Sequence, residues 1–172
     1  VRPGVRVGVD VGTVRVGVAL SDPEGILALP AETLSRDIST DSDISHIARL
    51  VSEHNVLEVV VGLPATLAGR EGNAAKAVRR YASDLARRVQ PVPVRAVDER
   101  LSTVTAHSRL REAGVRGREH RRVVDQAAAV EILQGALDAE RATGRPPGEL
   151  VPPGGPPEGP GEGEQVREAG PR

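Results

Sequence analysis

With 172 residues the chain is long enough for one domain with a substantial core, which excludes a large multidomain ATPase. The absence of cysteine excludes a disulfide framework, a thiolate zinc site and a cysteine nucleophile. The formal net charge of −1 conceals an asymmetry, because the last 27 residues carry five Glu against two Arg and leave the rest mildly basic. No apolar run approaches the roughly 18–20 residues of a membrane span, and the first residues lack a signal-peptide layout, so a cytoplasmic protein without a membrane partner is expected.

Val5, Val7, Val9 and Val11 alternate with Arg6, Gly8, Asp10 and Gly12, a period of two that predicts a strand. After Gly12-Thr13 the pattern returns in Val14, Val16, Val18 and Leu20, predicting a hairpin. Pro23-Glu24-Gly25 turns the chain into a third strand over Ile26 to Leu34, where Pro30 argues for an edge position. Ile44, Ile47, Ala48 and Val51 then share one helical face, and Val59-Val60-Val61 reads as a buried parallel strand. A helix is predicted over Asn73 to Arg88, with Ala74, Ala77, Val78, Tyr81 and Leu85 facing inward. A fifth strand over Pro93 to Val97 ends at Asp98-Glu99. Helices over Thr103 to Ala113 and Val124 to Leu137 follow, separated by a Gly- and Arg-containing connection. The order βββαβαβαα implies an α/β fold, one mixed five-stranded sheet with helices on its faces. From Pro146 onward 15 of 27 residues are Pro or Gly, a composition that cannot offset its ordering entropy by burial. A folded domain over 1–142 and a disordered Pro/Gly/Glu-rich tail over 143–172 are expected.

Three acids stand at informative places. Asp10 lies on the non-valine side of the first strand, where a carboxylate is either on an exposed face or paired or metal-bound. Glu99 follows the fifth strand, at the strand end where ligands bind in α/β sheets, or is a loop acid pairing with Arg100. Asp125 begins an apolar helix, where a first-turn acid favours the helix dipole. Seven arginines between Arg100 and Arg122, against Glu112 and Glu119, read either as a solvated surface or as phosphate binders. Only Lys76 among the basic residues is lysine, which a GC-rich coding bias explains. Tyr81 is the sole aromatic, so no platform exists for stacking successive bases, and nucleic acid would be held by backbone and shape. His46 and His54 do not share a helical face, no Gly-Lys-Ser/Thr phosphate loop follows Gly62, Gly69 and Gly72, and no Gly-x-Ser-x-Gly elbow occurs.

Four co-ordered motifs carry a resemblance. Asp10-Val11-Gly12-Thr13 with Arg15 to Asp22, Val61-Gly62-Leu63-Pro64 with Gly69 and Gly72, Asp98 to Thr103, and Asp125 to Ala129 with Ile132-Leu133-Gln134 together resemble the YqgF/RuvX family over residues 1 to about 140. The resemblance implies an RNase H-like fold and a nuclease acting in maturation of the small-subunit ribosomal RNA precursor, in Holliday-junction resolution, or in both. It places the catalytic, metal-binding acids at Asp10, Glu99 and Asp125. Asp10 would bridge two Mg²⁺ or Mn²⁺ ions, and each of the others would complete one. Hard carboxylate oxygens suit such ions, and two ions about 4 Å apart serve both the attacking and the leaving oxygen. Arg15, Arg100, Arg109, Arg116, Arg118, Arg121 and Arg122 would grip structured nucleic acid. Val14, Ser102 and Gly135-Ala136 depart from the family pattern, which touches substrate contacts and leaves the acids intact. A monomer or a homodimer fits, since symmetric junction cutting needs two sites. Two rival readings remain at this point: a non-catalytic RNA- or ribosome-binding factor, and a nucleotide-binding protein of the actin/Hsp70 type, whose phosphate loop Asp10 to Thr13 also resembles.

Overall fold

The computed structural model describes residues 2–64, 72–99 and 117–154, and of 117–122 the backbone alone. The valine alternation makes β1 (Arg6–Val11) and β2 (Arg15–Ser21), which pair antiparallel with Val9 opposite Val18 and Asp10 opposite Gly17. β3 (Ala28–Ser35) pairs antiparallel with β2 and is the sheet edge, with a bulge between Val18 and Ala19 where Pro30 enters. After α1 (Ser42–Glu53), β4 (Glu58–Leu63) lies parallel to β1. α2 (Asn73–Val89) then leads to β5 (Val94–Asp98), parallel to β4. α3 (Gly117–Thr143) follows, and β6 (Glu149–Leu150) pairs antiparallel with β5, completing the order β3-β2-β1-β4-β5-β6.

The period of two sorts the strands into two cores. Val7, Val9, Val16, Val18, Val59, Val61, Val94 and Ala96 pack beneath α1 and α2 with Ile44, Ile47, Val78, Tyr81 and Leu85. On the other face Ala19, Val60 and Val97 meet Ala129, Ile132, Leu133, Ala136 and Leu137 of α3. That second face is small-residued for a reason: a Cβ on Gly8 would lie 2.6 Å from Leu133 Cβ, and one on Gly17 would lie 2.0 Å from the Asp125 carbonyl oxygen. Gln134 fastens the same helix to the edge, accepting from Ala28 N–H at 2.9 Å and donating to Ile26 O.

Charge closes the end of the sheet where β1, β4 and β5 begin. Arg6 and Glu58 are almost fully buried there, and Glu140 of α3 joins them. Arg6 reaches Glu140 at 3.1 Å and Gly4 O at 2.8 Å. Arg2 reaches Glu140 at 2.7 Å and Glu58 at 3.2 Å, and Arg95 reaches Glu58 at 2.9 Å. Burial pushes the Glu140 carboxyl up, but the bond from Arg2 and the charges on Arg2 and Arg6 hold it below the ordinary value.

Several expectations need correction. The sheet has six strands, and the sixth comes from the segment expected to be a disordered tail. Val151 is buried in the α1/α2 core, its N–H donating to Val94 O, and Gly154 N–H donates to Ser83 O. Order therefore continues past 142 to Gly154, because β5 has an open edge that the non-proline pair Glu149-Leu150 joins; residues 155–172 lie outside the described ones. α3 begins at Gly117, so Gly117 to Val123 is helix where a connection was expected, and Asp125 lies well inside the helix. On α2 the exposed residues include Ala74 and Ala77, while Ala75, Ala82 and Ala86 face the core with Val78, Tyr81 and Leu85. The helix expected over Thr103 to Ala113 lies outside the described residues.

Deleting residues 146–172 removes the Val151 side chain from the core and uncovers the β5 edge. The shortened protein should lose about 2 kcal/mol of stability, read as a lower urea midpoint. An unchanged midpoint would show that β6 adds nothing to the fold.

Candidate active site

Parallel pairing puts the carboxyl ends of β1, β4 and β5 at one end of the sheet, the end away from the Arg6–Glu58–Glu140 cluster. Asp10 is the penultimate residue of β1 and shares its face with Gly8, so it points to the α3 side. This face is not the exposed one that the valine alternation left open; α3 covers it. Directly across the ladder is Gly17, and against Gly17 lies the Asp125 backbone, so the missing side chain is what sets Asp125 beside Asp10. Glu99 comes immediately after Asp98, the last residue of β5, and is exposed at the rim.

Asp10 lies within the fields of the other two acids. Burial, then the charges of Asp125 and Glu99, push the Asp10 carboxyl up to about 6 from an ordinary 3.8. Asp125 is not the first-turn acid its sequence position suggested, since α3 starts two turns earlier; its counter-charge is Arg15, whose Nε donates to Oδ2 at 2.7 Å. Arg15, expected among the nucleic-acid contacts, thus sits on a carboxylate of the site. Arg100, Arg109 and Arg116 lie outside the described residues, as do the side chains of Arg118, Arg121 and Arg122 and any Glu99–Arg100 pair.

As a donor set for hard cations the trio is apt in chemistry: three carboxylates, no sulfur, and mutual repulsion that a cation relieves. Among the described residues, no group of three or more His, Asp or Glu side chains stands ready to hold a metal ion. β4 separates β5 from β1, so Glu99 and Asp10 start about 10 Å apart at the backbone. Arg15 meanwhile occupies an oxygen of Asp125. The residues fit the ions in kind and neighbourhood, and side-chain rotation must complete the convergence.

Arg36 is a site neighbour that the motifs did not single out. Its guanidinium lies 5.4 Å from the Tyr81 ring centroid and donates to Gly12 O at 2.9 Å, while its N–H donates to Val14 O. It therefore anchors the loop that follows Asp10 to the α1/α2 core. Spacing could not reveal this, because the contact joins a strand end to a helix face across the rim of the sheet. Just beyond, the Asp37 carboxylate accepts bonds from Ser39, Thr40 and Ser42, first among them the Thr40 hydroxyl, which hold it well below the usual carboxylate range and order the turn into α1. Tyr81 itself is buried and donates to Asp43 at 2.9 Å, out of reach of any base.

Residues 4–139 match the family model described as RuvX: Holliday junction resolvase. A Frankia casuarinae protein is 56% identical over 142 residues, covering 83% of this chain and 70% of its own length. One from Thermobifida fusca is 56% identical over 157 residues, covering 87% and 97%. Both bear the name "Putative pre-16S rRNA nuclease". Among solved structures, Thermus thermophilus RuvC in complex with Holliday junction substrate aligns with a TM-score of 0.51 at 20% identity, over 83% of this chain and 99% of that one. At that identity the likeness bears on fold, which is RNase H-like.

The raised Asp10 carboxyl makes a signed prediction. Ionising a group whose folded value lies above its unfolded one costs the folded state, so the penalty is full above about pH 6 and gone below about 4. In chelator Asp10→Asn should be more stable than wild type at pH 8, by about 1–3 kcal/mol, with the gap closing as the pH falls to 4. Urea unfolding across that range is the measurement; a pH-independent difference, or a less stable variant at pH 8, would contradict the electrostatics described.

Proposed function

The chain belongs to the RuvX family and is a nuclease that hydrolyses phosphodiester bonds, and we propose that Asp10, Glu99 and Asp125 are its catalytic acids, with the ribosomal RNA precursor as substrate. What carries the assignment is the neighbourhood of Asp10 and Glu99, at the carboxyl ends of β1 and β5, with Asp125 of α3, registered in the raised Asp10. The RNA substrate rests on the naming of relatives at 56% identity over most of this chain. The family description favours a second substrate, the four-way DNA junction, whose symmetric cutting calls for a homodimer.

Asp10, Glu99 and Asp125 would together hold divalent ions, Mg²⁺ or Mn²⁺. Bound there, such ions supply the positive charge and Lewis acidity that favour the attacking water and the departing oxygen. The protein's own part is positional. The Gly17 contact and Arg36 fix the backbones on either side of Asp10, and the packing of α3 shields Asp10 from bulk water, strengthening every charge interaction it makes. Arg100, Arg109, Arg116, Arg118, Arg121 and Arg122 are assigned to phosphates of structured nucleic acid, read by shape, since the one aromatic is buried. No helix among the described residues is long and apolar enough to cross a membrane, in keeping with work on ribosomal RNA in the cytoplasm.

The test is cleavage of a 5′-extended small-subunit precursor fragment, a four-way DNA junction and a linear duplex, with Mg²⁺ and with chelator. Wild type should cut the precursor fragment only with metal, and Asp10→Asn, Glu99→Gln and Asp125→Asn should each fall below about 1% of that rate while remaining folded. Metal-independent cutting, or full activity in Asp10→Asn, would overturn the site. Cutting of the junction alone would move the substrate to DNA.

A further inference from the structure

Arg15 meets Asp125 through one short bond, Nε to Oδ2 at 2.7 Å, with the two side chains 33% and 22% exposed. This pair differs from the ion pairs at the other end of the sheet, where Arg6, Glu58 and Glu140 are sealed from solvent. Here the partners stand at the mouth of the acidic cluster, open to solutes. The Arg15 backbone is fixed, since its carbonyl accepts from Gly12 N–H at 2.9 Å and its residue pairs with Ser35. Its long side chain is not fixed in the same way, and what it holds is an oxygen of a proposed metal-holding acid.

A carboxylate that accepts from a guanidinium at this distance is a weaker ligand for a hard cation, because the guanidinium already neutralises part of its charge and the two positive groups repel each other. The guanidinium fork binds carboxylate and phosphate by the same geometry, one at a time. Resting on the site proposed above, we propose that Arg15 is a latch: it occupies Asp125 until a divalent ion displaces it, and the freed guanidinium then binds a backbone phosphate of the nucleic acid at the cut.

Two couplings follow from this exchange. In the metal-free protein Arg15 offsets part of the crowding of acids, which keeps the site assembled without its ions. Once metal is bound, a cation within side-chain reach of Asp125 is left without a partner, and the nearest new anion is the phosphate that must be positioned. Metal and nucleic acid then favour each other's binding, and by linkage the coupling is equal in both directions. A residue that merely staples β2 to α3 would support both ligands and oppose neither.

The experiment compares full-length wild type with Arg15→Gln, which removes the charge, and Arg15→Lys, which keeps charge without the fork. Mn²⁺ affinity is measured by calorimetry on the free protein. Affinity for a hairpin from the 5′-extended precursor is measured in chelator and in Ca²⁺, and melting temperature with and without Mn²⁺. Arg15→Gln should bind Mn²⁺ about five- to tenfold more tightly than wild type and bind the hairpin in Ca²⁺ about five- to tenfold more weakly. Its melting temperature should be lowered in chelator and recover with Mn²⁺, and Arg15→Lys should fall between the two in each property. Opposite signs for metal and RNA are the signature of the latch. A wild type that binds Mn²⁺ while Arg15→Gln binds it no better, or a variant that loses both affinities together, would overturn the latch and leave the site standing. A wild type that binds no Mn²⁺ and cuts without it would overturn the site itself.

Discussion

The structure turns on how closely α3 lies against the sheet. A side chain at Gly8 would drive into Leu133 and one at Gly17 into the Asp125 backbone, so two missing methyl groups on adjacent strands set the depth at which the helix docks. That depth lets Ala19, Val60 and Val97 reach Leu133 and Ala136 as a dry second core. It also sets an acid of α3 against the ladder position facing Asp10. One contact thus decides both how the second face is buried and whether the acidic cluster exists.

Charge is distributed along the sheet with a clear polarity. At the end where β1, β4 and β5 begin, buried Arg6 and Glu58 are answered by Glu140, Arg2 and Arg95, so a costly desolvation is met by short bonds. At the opposite end Asp10 is half-buried near two other carboxylates, and its raised value records burial first and then repulsion that the fold tolerates. Repulsion held in place by surrounding structure is what a cation-dependent site requires before its ions arrive. The neutralised end and the repulsive end belong to the same strands, so the first helps hold the second together.

Recognition is constrained as firmly as chemistry. Tyr81 lies inside the α1/α2 core, bonded to Asp43 and covered by Arg36, so bases cannot be read by stacking on it. In the proposed interface the substrate would meet guanidinium groups, which distinguish nucleic acids by the spacing of phosphates. Arg36 links this buried aromatic to Gly12 and ties the loop beside Asp10 to the α1/α2 core.

Much of this was legible in the chain because its strands are unusually regular. Valine at every second position in β1 and β2 leaves one pairing register that buries them, and Pro30 marks the edge where a lost N–H is harmless. The residue types at positions 10, 99 and 125 were visible through their motifs, as was the alternation of strands and helices. The first turns of α3 were not, since Gly117 to Val123 is rich in arginine and lacks an apolar stripe; β6 was not, since two residues in a Pro/Gly-rich stretch carry no period. Nor could composition show which side of β1 is covered, or that Arg15 and Asp125, 110 residues apart, share a bond. Local pattern determines strands and helices because backbone geometry repeats over a few residues. The approach of α3 to Gly17, and with it the placing of Asp125 beside Asp10 and its bond to Arg15, depends on steric fit between distant elements, and that was decided only by tertiary packing.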